Sequence, residues 1–189
     1  MEKGTLTRCQ KIVLYGPEST GKTTLAKALA NHYDTLWVPE FARDYLQKKW
    51  EDQRAKCDLD DLLIIAREQA KAETEAVKKA RRFLFCDTNV LVTKVWSETH
   101  FDGYCAPALL RMAEQVQDVH YFLTNIDVPW EADDLRDRPD QRDEMFHYFQ
   151  KQLVDQGLPH TLLLGDHSTR LQQAIDTLED LFPLPLREE

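Results

Sequence analysis

Four hydrophobic residues, Ile12-Val13-Leu14-Tyr15, run directly into Gly16-Pro17-Glu18-Ser19-Thr20-Gly21-Lys22-Thr23, which satisfies G-x-x-x-x-G-K-[ST] at every fixed position. Each position has a physical task. The glycines let the backbone turn tightly, so that its N–H groups face inward and bind phosphate oxygens. Lys22 reaches the β- and γ-phosphates as a point charge, and the Thr23 hydroxyl is suited to Mg²⁺. The helix expected to begin at Lys22 adds the positive end of its dipole. Average residue usage gives a chance match in a chain this long about once in a hundred. The apolar strand before the motif and the amphipathic helix after it lower the odds of chance further. Gly16, Glu18, Ser19, Thr20, Gly21, Lys22, Thr23 and Thr24 are therefore the candidate ATP-binding residues.

The rest of the chain repeats this strand-then-helix arrangement. Apolar runs occur at Leu36-Trp37-Val38, Phe83-Leu84-Phe85-Cys86, Val119 to Leu123 and His160 to Leu164. Helical spacing lies between them: Lys22 to about Tyr33, Phe41 to about Trp50, a long segment from Asp58, and Ser168 to Leu181. Asp58 is a plausible N-cap for the long helix, with Asp60 and Asp61 in its first turn and Lys78, Lys79, Arg81 and Arg82 at its far end. Gly157 and Pro159 close a further helix, and Pro183 and Pro185 stop the last one. This pattern predicts an α/β fold, a P-loop NTPase three-layer αβα sandwich around a five-stranded parallel sheet. Its ligands would lie beyond the carboxyl ends of the strands. A length of 189 residues is that of one such domain, 1–189, with a lid-like segment around 127–145.

Charge and cysteine usage narrow the class. The net charge of −9 provides no general basic field for nucleic acid. No apolar stretch suits a membrane span, and Met1 to Arg8 has no signal-peptide core. Cys9, Cys57, Cys86 and Cys105 form no CxxC pair and read as the reduced thiols of a cytoplasmic protein. The expected partner is a small molecule, with no nucleic acid and no membrane.

The loop alone specifies NTP binding and leaves the reaction open. Thr124-Asn125-Ile126-Asp127 lacks the lysine of a guanine-reading Asn-Lys-x-Asp, and no Asp-x-x-Gly comes after the third strand, which argues against a GTPase switch. Asp87 ends an apolar strand where it can hold Mg²⁺ through water or orient an acceptor hydroxyl. The plainer alternative is that it caps the helix beginning at Thr88 or Asn89. Glu40 comes directly after the second strand and is a candidate general base, with Arg43 one turn on to clamp a carboxylate or a phosphate. Their plainer role is an exposed ion pair. The choice of base lies between Glu40 and Asp87. Arg136, Arg138 and Arg142 cluster after the fourth strand. A kinase lid would use Arg136 and Arg142 to neutralise the transferring phosphoryl group, whereas a solvated helix would pair them with Asp133, Asp134, Asp137, Asp140 and Asp143. Trp37, Tyr45, Trp96 and Trp130 are candidates to stack on a base, and Gln69 to read an amide.

GPESTGKTTL, PEFARDY, CDTN and TNIDVPWEADDLRDRP together resemble the ribosylnicotinamide kinase domain of bifunctional bacterial enzymes that also carry NMN adenylyltransferase activity. The resemblance runs from about Ile12 to Leu181, and PEFAR combined with Asp127-Val128-Pro129-Trp130 and Asp134-Leu135-Arg136 is its specific part. It implies ATP- and Mg²⁺-dependent phosphorylation of the ribose 5′-hydroxyl of nicotinamide riboside. Lys22 and Thr23 would serve phosphate and metal, Glu40, Arg43 and Asp87 the acceptor, and Arg136 the lid. No His-x-Gly-His motif is present and no DNA-binding segment precedes the loop, so the kinase activity alone is expected. The rival expectations are a deoxynucleoside kinase, which would usually carry an arginine beside Asp87 where Thr88 and Asn89 stand, and a regulatory ATPase that transfers nothing.

Overall fold

The computed structural model describes residues 9–136 and 138–184; the readings at Met1 to Arg8, Asp137 and Pro185 fall outside the described residues. Five strands, β1 (Gln10–Tyr15), β2 (Leu36–Val38), β3 (Phe83–Asp87), β4 (Val119–Thr124) and β5 (His160–Leu163), form one sheet in the order β2-β3-β1-β4-β5. Every pairing is parallel, as expected of strands linked by helical crossovers.

Alternate residues of each strand serve opposite faces. Ile12, Leu14, Phe83, Phe85, Phe122 and Leu163 pack under α1 (Lys22–His32) and α7 (His167–Leu181) through Leu25, Leu29, Ala174 and Leu178. Val13, Tyr15, Leu84, Cys86, Tyr121 and Leu123 turn the other way. They meet α4 (Val90–His100) through Val92 and Val95, and α6 (Arg142–Asp155) through Phe149 and Leu153. The central strands are therefore mostly apolar on both faces, because both are covered. A satellite cluster of Leu62, Ala66, Val90 and Leu109 joins α3 (Leu59–Val77), α4 and α5 (Pro107–Glu114). The sandwich of helix, parallel sheet and helix expected from the sequence is the observed fold.

Some local expectations change. Asp58 does cap α3, in a reciprocal box with Asp61. The helix ends at Val77, so the cations from Lys78 onward lie past its last turn. Asp87 is not the cap of α4. Asn89 is, accepting the Leu91 N–H at 3.0 Å, and Thr88 at φ 71° makes the bend between them. Helix α5 and the full extent of α4 have no counterpart in the sequence pattern. Helix α2 (Phe41–Gln53) has no buried residue and lies against α3. No helix among the described residues is long and apolar enough to cross a membrane.

Candidate active site

The carboxyl ends of β1, β2 and β3 deliver three functional segments to one cavity of about 690 Å³. The loop after β1 passes the end of β4 so closely that a Cβ on Gly16, at φ 140°, would stand 2.8 Å from Thr124 Oγ1 and 3.0 Å from its carbonyl. Only glycine tolerates both that conformation and that contact. Thr20 Oγ1 lies 2.9 Å from Pro17 O and 2.7 Å from Thr124 Oγ1, tying the loop to itself and to β4. Lys22 Nζ donates to the carbonyls of Gly16 (3.0 Å) and Pro17 (2.6 Å), which holds the ammonium over the cradle. Gly16, Glu18, Ser19, Thr20, Gly21, Lys22, Thr23 and Thr24 all line the cavity.

Parallel pairing of Leu14 with Asp87 sets the end of β3 beside the loop. The Thr23 hydroxyl donates to Asp87 Oδ2 at 2.5 Å, while Asp87 Oδ1 is buried without a hydrogen-bond partner. Burial raises the Asp87 carboxyl above its ordinary range, against Lys22, Thr23 and Lys27. A buried carboxylate oxygen without a donor, next to a hydroxyl, suits a hard cation, which takes oxygen ligands. No three His, Cys, Asp or Glu side chains cluster as a metal site among the described residues. Mg²⁺ is held by one or two protein oxygens plus substrate phosphates, and the oxygens available here are those of Thr23 and Asp87.

Glu40 comes from the end of β2 and is the N-cap residue of α2, yet its carboxylate makes no cap hydrogen bond. Burial, then the charge of Asp87, pushes it up from 4.5 to about 7, with Lys22, Arg43 and Arg136 opposing. Asp133 binds both neighbouring arginines: Arg43 donates to it, and Arg136 Nε approaches it at 3.1 Å. The plainer ion pairing is therefore realised for Arg136, at the rim of the cavity it also lines. The segment that carries them rests on the phosphate loop, with Glu131 N–H donating to Ser19 Oγ at 2.7 Å.

The other candidates divide. Trp96, Trp37 and Gln69 line the cavity. One face of Trp96 is covered by His100 at 4.0 Å, and Lys27 stands 5.0 Å over Trp37. Tyr45 does not line it and donates to Asp61 at 2.9 Å. Trp130 and Arg142 lie in a small neighbouring cleft. Arg142 donates to Val128 O (3.0 Å) and Ser19 O (3.3 Å), bracing the phosphate loop from behind. Arg138 turns away to Thr99 O at 2.8 Å.

One cavity residue has no motif to mark it in the sequence. Arg170, 3% exposed, reaches from α7 to Thr20 O at 2.6 Å and Asn125 O at 2.8 Å, and pairs with Asp127. Asp127 in turn accepts the Gly165 N–H at 2.6 Å. The available signal was position: Arg170, Ala174 and Leu178 form the buried stripe of α7, and an arginine on such a stripe needs an internal partner.

The model of the AAA domain family matches residues 11–170. The trifunctional NAD biosynthesis/regulator protein NadR of Escherichia coli (strain K12) is 29% identical over 125 residues, covering 66% of this chain and 30% of that protein. The chain thus spans less than a third of the curated relative's length. A solved NadR protein in complex with NR superposes with a TM-score of 0.77 at 21% identity, over 96% of this chain and 54% of that one. Deoxyadenosine kinase from M. mycoides superposes at 0.67 with 10% identity, over 90% and 99% of the two chains. At these identities the structural likeness establishes a P-loop kinase fold.

Proposed function

The chain belongs to the AAA domain family, and from that premise we propose that it is an ATP-dependent nucleoside kinase that phosphorylates the ribose 5′-hydroxyl of nicotinamide riboside to give NMN. The observation that carries this is the convergence of Lys22, Asp87 and Glu40 on one cavity whose size suits a small-molecule site. Phosphoryl transfer needs little covalent help from a protein. It needs the γ-phosphate held, its charge neutralised and the acceptor hydroxyl aligned.

The loop N–H groups and Lys22 hold the triphosphate. Thr23 and Asp87 would hold Mg²⁺, which when bound neutralises charge on the phosphates. The acceptor oxygen attacks the γ-phosphorus, the bond to the β–γ bridging oxygen breaks, ADP leaves, and the hydroxyl proton passes to Glu40. Glu40 is the better base because its raised pKa, near 7, is close to working pH, while Asp87 is engaged by Thr23. Arg43 orients the acceptor side. Arg136, released from Asp133, supplies positive charge as the segment around 127–145 closes as a lid over a single domain. Arg142 acts on the nucleotide through the Ser19 carbonyl it braces. The pyridinium of nicotinamide riboside is a cation, which the face of Trp96 attracts, while Gln69 meets the cavity wall with its Nε2 buried beside Glu73 and is not placed against the carboxamide.

Support for this substrate comes from the motif resemblance, from the relative named for NAD biosynthesis and from the structure described with NR. The fold match to a deoxyadenosine kinase keeps a deoxynucleoside as the second acceptor class. The test is ADP release from ATP·Mg²⁺ with nicotinamide riboside, deoxynucleosides and uridine, with Lys22→Ala as control. Turnover on nicotinamide riboside alone is the expected result. Turnover only on a deoxynucleoside rejects the substrate and keeps the kinase, and no response to any nucleoside rejects both.

A further inference from the structure

Helix α2 carries Glu40 at its N-cap and Arg43 in its first turn, yet none of its residues from Phe41 to Gln53 is buried. Core packing therefore does not fix where its first turn sits. An Asp, Asn, Ser or Thr at the N-cap turns its side chain back to accept the N–H of the second or third helical residue. Glu40 does not, and its side chain is left to the cavity. The N–H of Phe41, one of the donors every helix start leaves unpaired, is taken by another helix: Gln69 Oε1 of α3 accepts it at 2.9 Å. A backbone N–H can only donate, so the amide orientation of Gln69 is fixed with its oxygen toward α2.

Gln69 is built to hold still. It is 2% exposed and lies one turn after Ala66 on the buried face of α3. One turn on lies Glu73, also buried, whose carboxylate is paired with Lys11 of β1 at 3.4 Å. The hydrogen bond to Phe41 thus ties the first turn of α2 to a residue anchored between α3 and the sheet.

We propose that Gln69 is a positioning residue for Glu40: by accepting the Phe41 N–H from outside the helix, it fixes the turn that carries Glu40, so that the Glu40 carboxylate is held facing the acceptor hydroxyl. This rests on Glu40 being the base. Without the acceptor, the Phe41 N–H is unpaired and the turn that carries Glu40 loosens.

The test uses the full chain with ATP·Mg²⁺ and the nucleoside that turns over. Gln69→Met keeps the volume and removes the acceptor, and Gln69→Glu keeps an acceptor and removes the donor. Gln69→Met is expected to lower kcat roughly tenfold or more with the KM for ATP unchanged. Gln69→Glu is expected to recover most of that kcat, because its carboxylate still accepts the Phe41 N–H. In a Glu40→Gln background, Gln69→Met is expected to lower kcat no further, because both changes remove the same function. Exchange of the Phe41 amide, slow in the native chain and in Gln69→Glu, is expected to be fast in Gln69→Met. Unchanged kcat in Gln69→Met, or losses that multiply in the double variant, overturn the positioning role while leaving Glu40 as the base. A full rate in Glu40→Gln overturns the base assignment and the positioning role with it. If Gln69→Met does not fold, Gln69→Glu decides: kcat near native with a protected Phe41 amide supports the role, and a tenfold loss in a folded, protected chain rejects it.

Discussion

Two residues in the cavity lend themselves to single substitutions with opposite logic. Glu40 stands near pKa 7 because burial and Asp87 disfavour its charge. A general base works only when ionised, so on the role proposed for Glu40 kcat/KM is expected to fall as pH drops below about 7. Glu40→Gln is expected to remove that acid limb and about two orders of magnitude or more of kcat, read in a pH–rate profile. The same shift costs stability. A carboxyl whose folded pKa lies above its ordinary 4.5 favours the fold while protonated, and that contribution is lost as pH rises through about 7. Glu40→Gln should therefore unfold later than the native chain at pH 8, and the two should converge below pH 4.5. Gly16 is the converse case, a residue with no chemistry and no room. Gly16→Ala puts a methyl 2.8 Å from Thr124 Oγ1 at φ 140°, so a loss of roughly 1–3 kcal/mol is expected in a denaturant titration, together with weaker ATP binding. Lys22, Thr23, Glu40 and Asp87 were legible in the sequence because a motif or a strand end marks each one. The tasks of Gln69 and Arg142 were not, because both are set by carbonyls and N–H groups of distant backbone.

Legibility among the elements tracks how one-sided their burial is. Strands β1, β3 and β4 carry apolar runs on both faces and stood out for that reason, while α3 and α7 keep a polar side and showed helical spacing. Helix α4 buries Val90, Leu91, Val92, Thr93, Val95 and Ser97, on more than one face, so no stripe contrasts with a polar side. Helix α5 has only eight residues, too few to set a period. Arg170 shows how an element can be legible while its role is hidden. The stripe of α7 was plain, but its first buried member binds Thr20, 150 positions away in the chain. It ties α7 to the loop that opens α1 and to the end of β4. Arg170→Leu would leave Thr20 O and Asn125 O unpaired and Asp127 without its cation. A loss of about 3–5 kcal/mol in a denaturant melt is expected. Asp127→Asn, at a group about a third exposed, should cost clearly less.

At the scale of the molecule, the strand order β2-β3-β1-β4-β5 explains how Gly16, Glu40, Asp87 and Arg170 come to share one cavity. The parallel sheet aligns all the carboxyl ends on one edge, so positions far apart in sequence become neighbours there. That much was legible in the strand–loop–helix pattern. The packing of the segment after β4 onto Ser19 was not, because a charged coil has no period to read. The chain carries a net charge of −9, yet it sets Lys22, Arg43, Arg136 and Arg170 around this cavity. A polyanion bound there would replace protein carbonyls and Asp133 as their partners. It would also draw α1, α2, α7 and the segment after β4 onto one ligand, so binding should stabilise the whole fold. A non-hydrolysable ATP analogue with Mg²⁺ at a hundred times its Kd adds about 2.7 kcal/mol by mass action. For a chain of this size that corresponds to a rise in Tm of roughly 5–10 °C. Lys22→Ala should remove most of the rise, with each chain read against its own ligand-free Tm because Lys22 also faces the charges of Glu40 and Asp87. An equal rise in Lys22→Ala would mean that the nucleotide binds elsewhere, and the placement of the triphosphate on this loop would fail.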